Sequence, residues 1–485
     1  MRVFNQRAWT TAVLVALALV LAQFVFRPPW RDEYWALYFS NPNASLWPLI
    51  TETMSRDVHP PAYFILLHAW RQVAEVELFA RALNLVFLAF GAWGGWQMRG
   101  QRPHETALFL LLCGTSFWLV FFSAEIRMMS ALFVLCALMV LAGRNWLSGH
   151  NPTVNMACWV GLGMAAASSH FFGALWTGSF GLALGLAWLL RGRFFGFVQA
   201  GVFTLVALAP ALAWIAIFRP DTNPGAPSAE VVFTQALTDG LEQFLRGITV
   251  KTAFANLAAT VAASFGLRAA LSGWQGGETR PLLWAVGIAV AVAFGVHLFY
   301  VPLIKERAFI VVIPALLYIA AVAIRSLKPE QTRALAISKA APIVAAISLP
   351  LFASELFKDR ERYREVVAFL ADRPGCAGSP ILAYERPSSQ AQDFAWFFTE
   401  QVLDKAFEDG DLALVRLSAG AGLPPNAGCD VRALAMNMPR GSRGADDMYA
   451  AFSDAGHPIA DWQEIVLGEG RSRIFVSRES SASTN

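Results

Sequence analysis

The sequence predicts a polytopic α-helical membrane protein of about eleven transmembrane helices, followed by a C-terminal α/β domain. Three observations carry this. Only 15% of the 485 residues are charged and mean hydropathy is +0.46, whereas a soluble domain carries about 25% charge. Apolar runs of roughly 20 residues recur, each long enough to cross ~30 Å of hydrocarbon. The charge is also uneven, since residues 353–485 hold 34 of the 73 charged side chains, 14 basic and 20 acidic. The chain divides accordingly into a membrane domain, 1–353, and a soluble domain, 354–485.

The apolar runs fall at 8–26, 78–97, 105–122, 128–143, 154–170, 171–190, 195–217, 252–271, 281–301, 307–324 and 336–353. Between the fifth and sixth, Ser168, Ser169 and His170 interrupt the apolar pattern without a true loop. Orientation follows from basic residues in short loops. With the N-terminus cytoplasmic, thirteen Arg and Lys, among them Arg99, Arg102, Arg144, Arg191, Arg193 and Arg280, gather on the inner side with only three acids. An odd number of spans then places the tail outside. The first run also has the shape of a cleaved signal peptide, and cleavage would leave the downstream topology unchanged.

The tail reads as α/β. "ERYREVVAFLAD" (361–372) and "QAQDFAWFFTEQVL" (390–403) have helical periodicity, and "PILAY" (380–384) looks like a buried strand. "DLALVRL", "DVRALAMNM", "DWQEIVL" and "RSRIFVS" are strand-like, between Gly/Pro-rich turns. No phosphate loop or triad signature appears there, which suits a capping or docking role. Cys113, Cys136 and Cys158 lie in or beside apolar runs as small core residues. Cys376 and Cys429 both fall in the tail, and spacing leaves their pairing open. No basic patch interleaved with aromatics argues for nucleic-acid binding.

Chemistry-bearing residues concentrate in the outer loops. The first carries Arg31, Asp32 and Glu33, then "SRDVHPPAYFILLHAW" (55–70), and Arg81 opens the next span. "SAEIRMMS" (123–130) supplies Glu125 and Arg127, "SSHFFG" (168–173) supplies His170, and "LIKERAF" (303–309) supplies Lys305, Glu306 and Arg307. Each alone has a plain explanation, as a snorkelling cation or a solvated loop. Their recurrence at one depth points to a shared cavity. Ionisable groups near the bilayer are costly, by ~2.5–3.5 kcal/mol at mid-span, and mark function. Arg and Lys neutralise phosphate oxygens, and a carboxylate accepts a proton from an attacking alcohol.

An acidic pair just after the first span, "HPP" opening an amphipathic segment, and "ELFARALNLVF" leading into the second span resemble the GT-C glycosyltransferases. The nearest in pattern are the protein O-mannosyltransferase-like families, which include the bacterial lipid A aminoarabinose transferase. "SAEIRMMSALFVLCALMVLA", "SSHFFGALW" and "KERAFIVVIPALLYIAA" resemble the later outer loops of that family, and the likeness covers most of residues 1–325.

The resemblance implies a GT-C fold and an inverting membrane transferase. It would use a polyprenyl-phosphate sugar as donor and a lipid, glycan or protein hydroxyl of the envelope as acceptor. It also implies a bacterial inner membrane with the active face periplasmic. Asp32 would be the base, with Glu33 beside it and Glu125 as a second acid. Lys305 and Arg307, then Arg81 and Arg127, would bind the donor phosphate. Asp57, His59, Tyr63 and His170 would line the substrate site; His59 stands where the aminoarabinose transferase has Lys. The sequence has no metal motif and names no certain cofactor, although a divalent cation between Asp32, Glu125, His59 or His170 would suit those ligand types.

Two other classes compete. A flippase of lipid-linked glycans would line a path near mid-span, whereas these charges sit at span ends. A non-catalytic subunit would have no need of outer-loop charges at matched depth. The sugar and the acceptor are not legible in the residues.

Overall fold

A computed structural model of the chain describes residues 6–218 except 28, 30 and 58, then 242, 279–299 and 306–326. In the last quarter it describes 363–373, 376, 380–384, 413–416, 429–435, 442–454, 462–467 and 472–477. Two compact units result: Met1–Arg27 with Phe39–Phe357, and Pro28–Tyr38 with Lys358–Asn485.

The first unit is a helical bundle. Helix α1 (Gln6–Phe26) is followed in the chain by α2 (Arg31–Phe39), which belongs to the second unit save for Phe39, then by the short helices α3 (Leu46–Pro48) and α4 (Ala62–Arg71) and by α5 (Glu77–Gln97). Next come α6 (Pro103–Gly114), α7 (Phe117–Ser123), α8 (Met129–Leu147), α9 (Pro152–Ser169), α10 (Phe171–Leu190) and α11 (Phe194–Phe218). After a gap in the description, α12 (Arg280–Phe299), a 3-10 turn (Glu306–Val311) and α13 (Ile313–Ser326) complete the described part. Five described helices, α5, α8, α10, α11 and α12, are long and apolar enough to cross a bilayer; α6 with α7 makes a sixth if that bent pair is one span. The chain is a multi-pass helical membrane protein. The runs at 252–271 and 336–353 lie outside the described residues.

Helix α8 is the post of this bundle. It is apolar on all sides, and all nineteen residues are buried, as expected of a helix with neighbours all round. It packs on α5, α7, α9, α10 and α13.

Two expected runs are broken where the sequence offers alternatives to helix, and the interruption expected at Ser168–His170 is present. The run at 105–122 bends by 54° between α6 and α7. There the Ser116 hydroxyl accepts from the Leu119 N–H at 3.2 Å and starts a new helix. The run at 307–324 opens as the 3-10 turn before α13 begins. At His170 the chain is extended (φ −163, ψ 144), closing α9 and capping α10 by accepting the Phe172 N–H through Nδ1. The reversal needs glycine at 173, because a Cβ there would strike the Ala166 carbonyl.

In the second unit five strands, β1 (Pro380–Tyr384), β2 (Ala413–Arg416), β3 (Val431–Ala435), β4 (Trp462–Leu467) and β5 (Ser472–Ser477), form one sheet of order β2-β1-β3-β5-β4. β1 pairs in parallel with β2 and β3, and β5 runs antiparallel to β3 and β4. Val366 and Leu370 of α14 (Tyr363–Ala371) cluster with Val431 and Leu434, whereas Met448 and Phe452 of α15 (Ser442–Asp454) cluster with Ala433 and Ala435. Each helix thus covers one face: Leu434 alternates with Ala433 and Ala435, and the register irregularity between Val431 and Ala433 turns Val431 to the Leu434 face. Helix α15 falls where the sequence suggested only turns; its "SRGADDMYAAFSD" is polar except for a narrow apolar stripe. Segment 390–403 lies outside the described residues. Cys376 and Cys429 form a disulfide.

Candidate active site

A hub of buried polar side chains stands at the end where α1 finishes and α8 begins. Arg27, one residue past α1, is buried and donates from Nη2 to Glu125 Oε1 at 2.6 Å and from Nη1 to the Phe121 carbonyl at 3.2 Å. Its guanidinium also sits over the Phe121 ring, 4.6 Å from the centroid. Arg81 of α5 donates to the carbonyls of Phe24 (3.2 Å) and Arg27 (2.7 Å). Asn84, one turn on, donates to the carbonyl of Glu125, and Gln23 donates to that of Val120 at 3.1 Å. All are buried. The hub ties α1, α5 and the turn before α8 together, and Glu125 enters it as the ionic partner of Arg27.

A second group adjoins this turn. Asp57 Oδ2 lies 2.9 Å from His59 Nδ1, so His59 donates from Nδ1 and turns Nε2 away from the carboxylate. The His59 and His170 rings are 4.5 Å apart, tilted by 59°. His170 is buried and stacks on Phe172. Because its Nδ1 accepts a backbone N–H, the neutral ring carries its proton on Nε2 and presents a donor there. His170 lies in the turn between two helices. Burial first, then the charges of His59, Arg127 and Arg307, hold its pKa well below the ordinary imidazole value of 6.5. Those interactions place His59, His170, Arg127 and Arg307 in one electrostatic neighbourhood. Arg127 is buried beside Glu125, its N–H bonded to the Glu125 carbonyl at 2.8 Å. Arg307 is half-buried on the 3-10 turn, which packs on α8 and α10. Tyr63, in the first turn of α4, is buried against Phe64.

Asp32 and Glu33 belong to the second unit. Both sit in the first turn of α2, where the helix dipole favours carboxylates. Helical neighbours point about 100° apart, and the environments differ: Glu33 is fully buried and Asp32 half-buried. Lys305 lies outside the described residues.

No family model and no curated relative matches the chain. Solved structures do, two of them along almost its entire length. One is ArnT from Cupriavidus metallidurans in the apo state, with TM-score 0.53, 14% identity, and coverage of 98% of this chain and 99% of that one. The other is ArnT from the same organism bound to undecaprenyl phosphate, with TM-score 0.54, 13% identity and coverage of 97% and 98%. The chain has the GT-C fold.

Within the GT-C fold, three buried residues escaped the sequence reading: Arg27, Asn84 and Gln23. Each is a polar residue within or just past an apolar run, and that is the signal that would have found them. Among the described residues, the one group of three metal-ligand atoms within 4.8 Å is Cys376, Cys429 and Asp430, and its sulfurs are joined to each other. His59 and Asp57 form a pair of hard donors, and Glu125 is engaged by Arg27.

Proposed function

We propose that this chain is a membrane glycosyltransferase that moves a sugar from a polyprenyl-phosphate donor to an acceptor hydroxyl. The observation that carries the reading is the GT-C fold along almost the whole chain, shared with an ArnT structure that holds undecaprenyl phosphate. In this reading eleven spans precede a soluble extracytoplasmic domain at 354–485, the N-terminus is cytoplasmic, and the reaction faces the periplasm of a bacterial inner membrane. The disulfide supports that placement, because such bonds persist in oxidising compartments.

Asp32 takes the proton from the acceptor hydroxyl while that oxygen attacks the anomeric carbon. The bond from that carbon to the phosphate oxygen breaks, its electron pair leaves with the polyprenyl phosphate, and the configuration inverts. The leaving group is already a stable anion, so stabilising its charge is enough and a strong general acid is unnecessary. Arg127, Arg307 and Lys305 supply that charge, and His170 in its neutral form supplies an N–H donor. Asp57 orients His59 toward the substrate. Arg81 and Glu125 act as positioning residues through the Arg27 hub, and Glu33 supports Asp32.

The test is transfer of radiolabelled sugar from a panel of polyprenyl-phosphate donors to membrane extract by purified protein in lipid. Wild type is expected to label one class of product, and Asp32→Asn to lose this activity, since a carboxylate base is worth about 10²–10⁴-fold. An Asn variant of full activity would remove Asp32 from the mechanism. No transfer from any donor, with the donor instead crossing the bilayer of proteoliposomes, would replace the transferase with a flippase.

A further inference from the structure

Helix α10 is twenty residues long, so its far end lies about 30 Å from His170. There α8 and α10 finish side by side in the same kind of cap. Gly149 (φ 76) ends α8, with the N–H groups of Gly149 and His150 returning to the carbonyls of Trp146 and Asn145. Gly192 (φ 71) ends α10, with those of Gly192 and Arg193 returning to Leu189 and Trp188. Each left-handed glycine lets the cap close over the last carbonyls, covering the negative ends of both helices. Arg191 then bridges the two caps, donating from Nη1 to the Leu147 carbonyl at 2.9 Å.

The result is a recess of about 570 Å³ lined by Leu147, Ser148, Gly149, Trp188, Arg191 and Arg193. Both guanidiniums lie over the Trp188 indole, at 5.7 and 5.3 Å from its centroid. Trp188 is 8% exposed, and its indole N–H has no acceptor among the described residues. Flanking the two arginines in the chain, Leu190, Phe194 and Phe195 are 73%, 66% and 79% exposed, as suits side chains that face lipid.

We propose that this recess binds the phosphate headgroup of an anionic membrane phospholipid, whose acyl chains lie along Leu190, Phe194 and Phe195. Paired guanidiniums match phosphate oxygens in charge and geometry, and basic pockets between membrane helices take anionic headgroups. Arginines that merely snorkel reach freely into the headgroup layer. Here, although both residues are exposed, the Arg191 guanidinium is bridged to a second helix, the Arg193 backbone is held in the cap, and both guanidiniums share one indole. The site is separate from the transferase reading and stands without it.

The test is native mass spectrometry of the full chain released from detergent with phosphatidylglycerol, phosphatidylcholine or glycerol 3-phosphate. Wild type is expected to retain phosphatidylglycerol at least tenfold better than phosphatidylcholine. Arg193→Gln should lower that preference about fivefold, the scale of one basic residue near an anionic surface. Arg191→Gln with Arg193→Gln should abolish it. The single variant leaves the Arg191 bridge intact and keeps the test readable if the double variant fails to fold. Equal retention of both lipids, survival of the preference in Arg193→Gln, or an equal loss in the control Arg99→Gln would overturn the proposal. Glycerol 3-phosphate bound as well as the lipid would overturn the lipid assignment in favour of a soluble phosphate.

Discussion

The Arg27–Glu125 pair offers a test of whether Glu125 is a structural carboxylate, as distinct from the base proposed at Asp32. Glu125 is wholly buried and Arg27 is 5% exposed, with 2.6 Å between their charged atoms. Removing one partner of such a pair strands the other charge and costs about 3–5 kcal/mol, whereas replacing both with apolar residues is often neutral. Arg27→Met and Glu125→Leu should therefore each cost about 3–5 kcal/mol, and the double variant much less than their sum. Arg27 keeps a carbonyl acceptor at Phe121, so Glu125→Leu belongs at the lower end. The assay is unfolding in lipid by SDS titration, followed by tryptophan fluorescence, with the four proteins forming a double-mutant cycle. Transfer activity is read on the same samples. Under the proposed mechanism Arg27→Met should lose stability, whereas Asp32→Asn should lose turnover at unchanged stability. Additive costs would show that the pair is not a stabilising unit. A Glu125→Gln protein of wild-type stability with no activity would make Glu125 part of the chemistry.

Three further outcomes follow from other elements. Reducing Cys376–Cys429, or replacing both with Ser, should cost the soluble unit about 4 kcal/mol by the chain-entropy account for 53 residues of separation; an unchanged melting transition with and without reductant would refute it. His170 binds its proton less readily when folded, so below pH 6.5 the unfolded chain takes up a proton that the native one does not. Stability should fall by up to about 1.4 kcal/mol per pH unit as acidity increases from there, and stay level above it. His170→Asn, which keeps a cap acceptor for Phe172, should remove that slope, and a slope of the same size in the variant would assign the proton elsewhere. Gly181→Ala would press a methyl into the side chain of Thr204 where α10 meets α11. It should cost about 1–3 kcal/mol, which Thr204→Ala should partly restore; a Gly181→Ala protein as stable as wild type would show that the contact has slack.

Much of this architecture is legible in the order of apolar runs, because in lipid a helix must satisfy its own backbone. What escapes is where a run stops being one helix. Ser116 offers the backbone a side-chain acceptor, and hydropathy does not weigh that competition, whereas at His170 the polar Ser-Ser-His already interrupts the apolar pattern. Helix α15 escapes for the opposite reason: its apolar stripe is narrow, and the sheet supplies the rest of its stability. The candidate site is legible by residue type. His59, His170, Arg127 and Arg307 come from four separate segments and do share one neighbourhood. Their partners are not legible, since nothing local to Glu125 announces Arg27, 98 positions away.

Both ends of α8 carry buried polar hubs, and this bears on how a site can be held beside a fluid bilayer. At one end stand Arg27, Glu125, Asn84 and Arg81. At the other Arg144 donates to the carbonyls of Met98 and Arg99, to Asn145 Oδ1, to Thr106 and to the Tyr318 hydroxyl. The apolar faces between the hubs fix neither depth nor rotation, because lipid tails are as apolar as leucine and helices gain little by choosing one another over lipid. The hubs do: the guanidinium fork of Arg144 meets acceptors just past the end of α5 and on α6, α8 and α13 in only one register. A slide or turn of α8 would therefore break bonds at both ends at once. That cost keeps Arg127, at the head of α8, in the neighbourhood of His170 and Arg307.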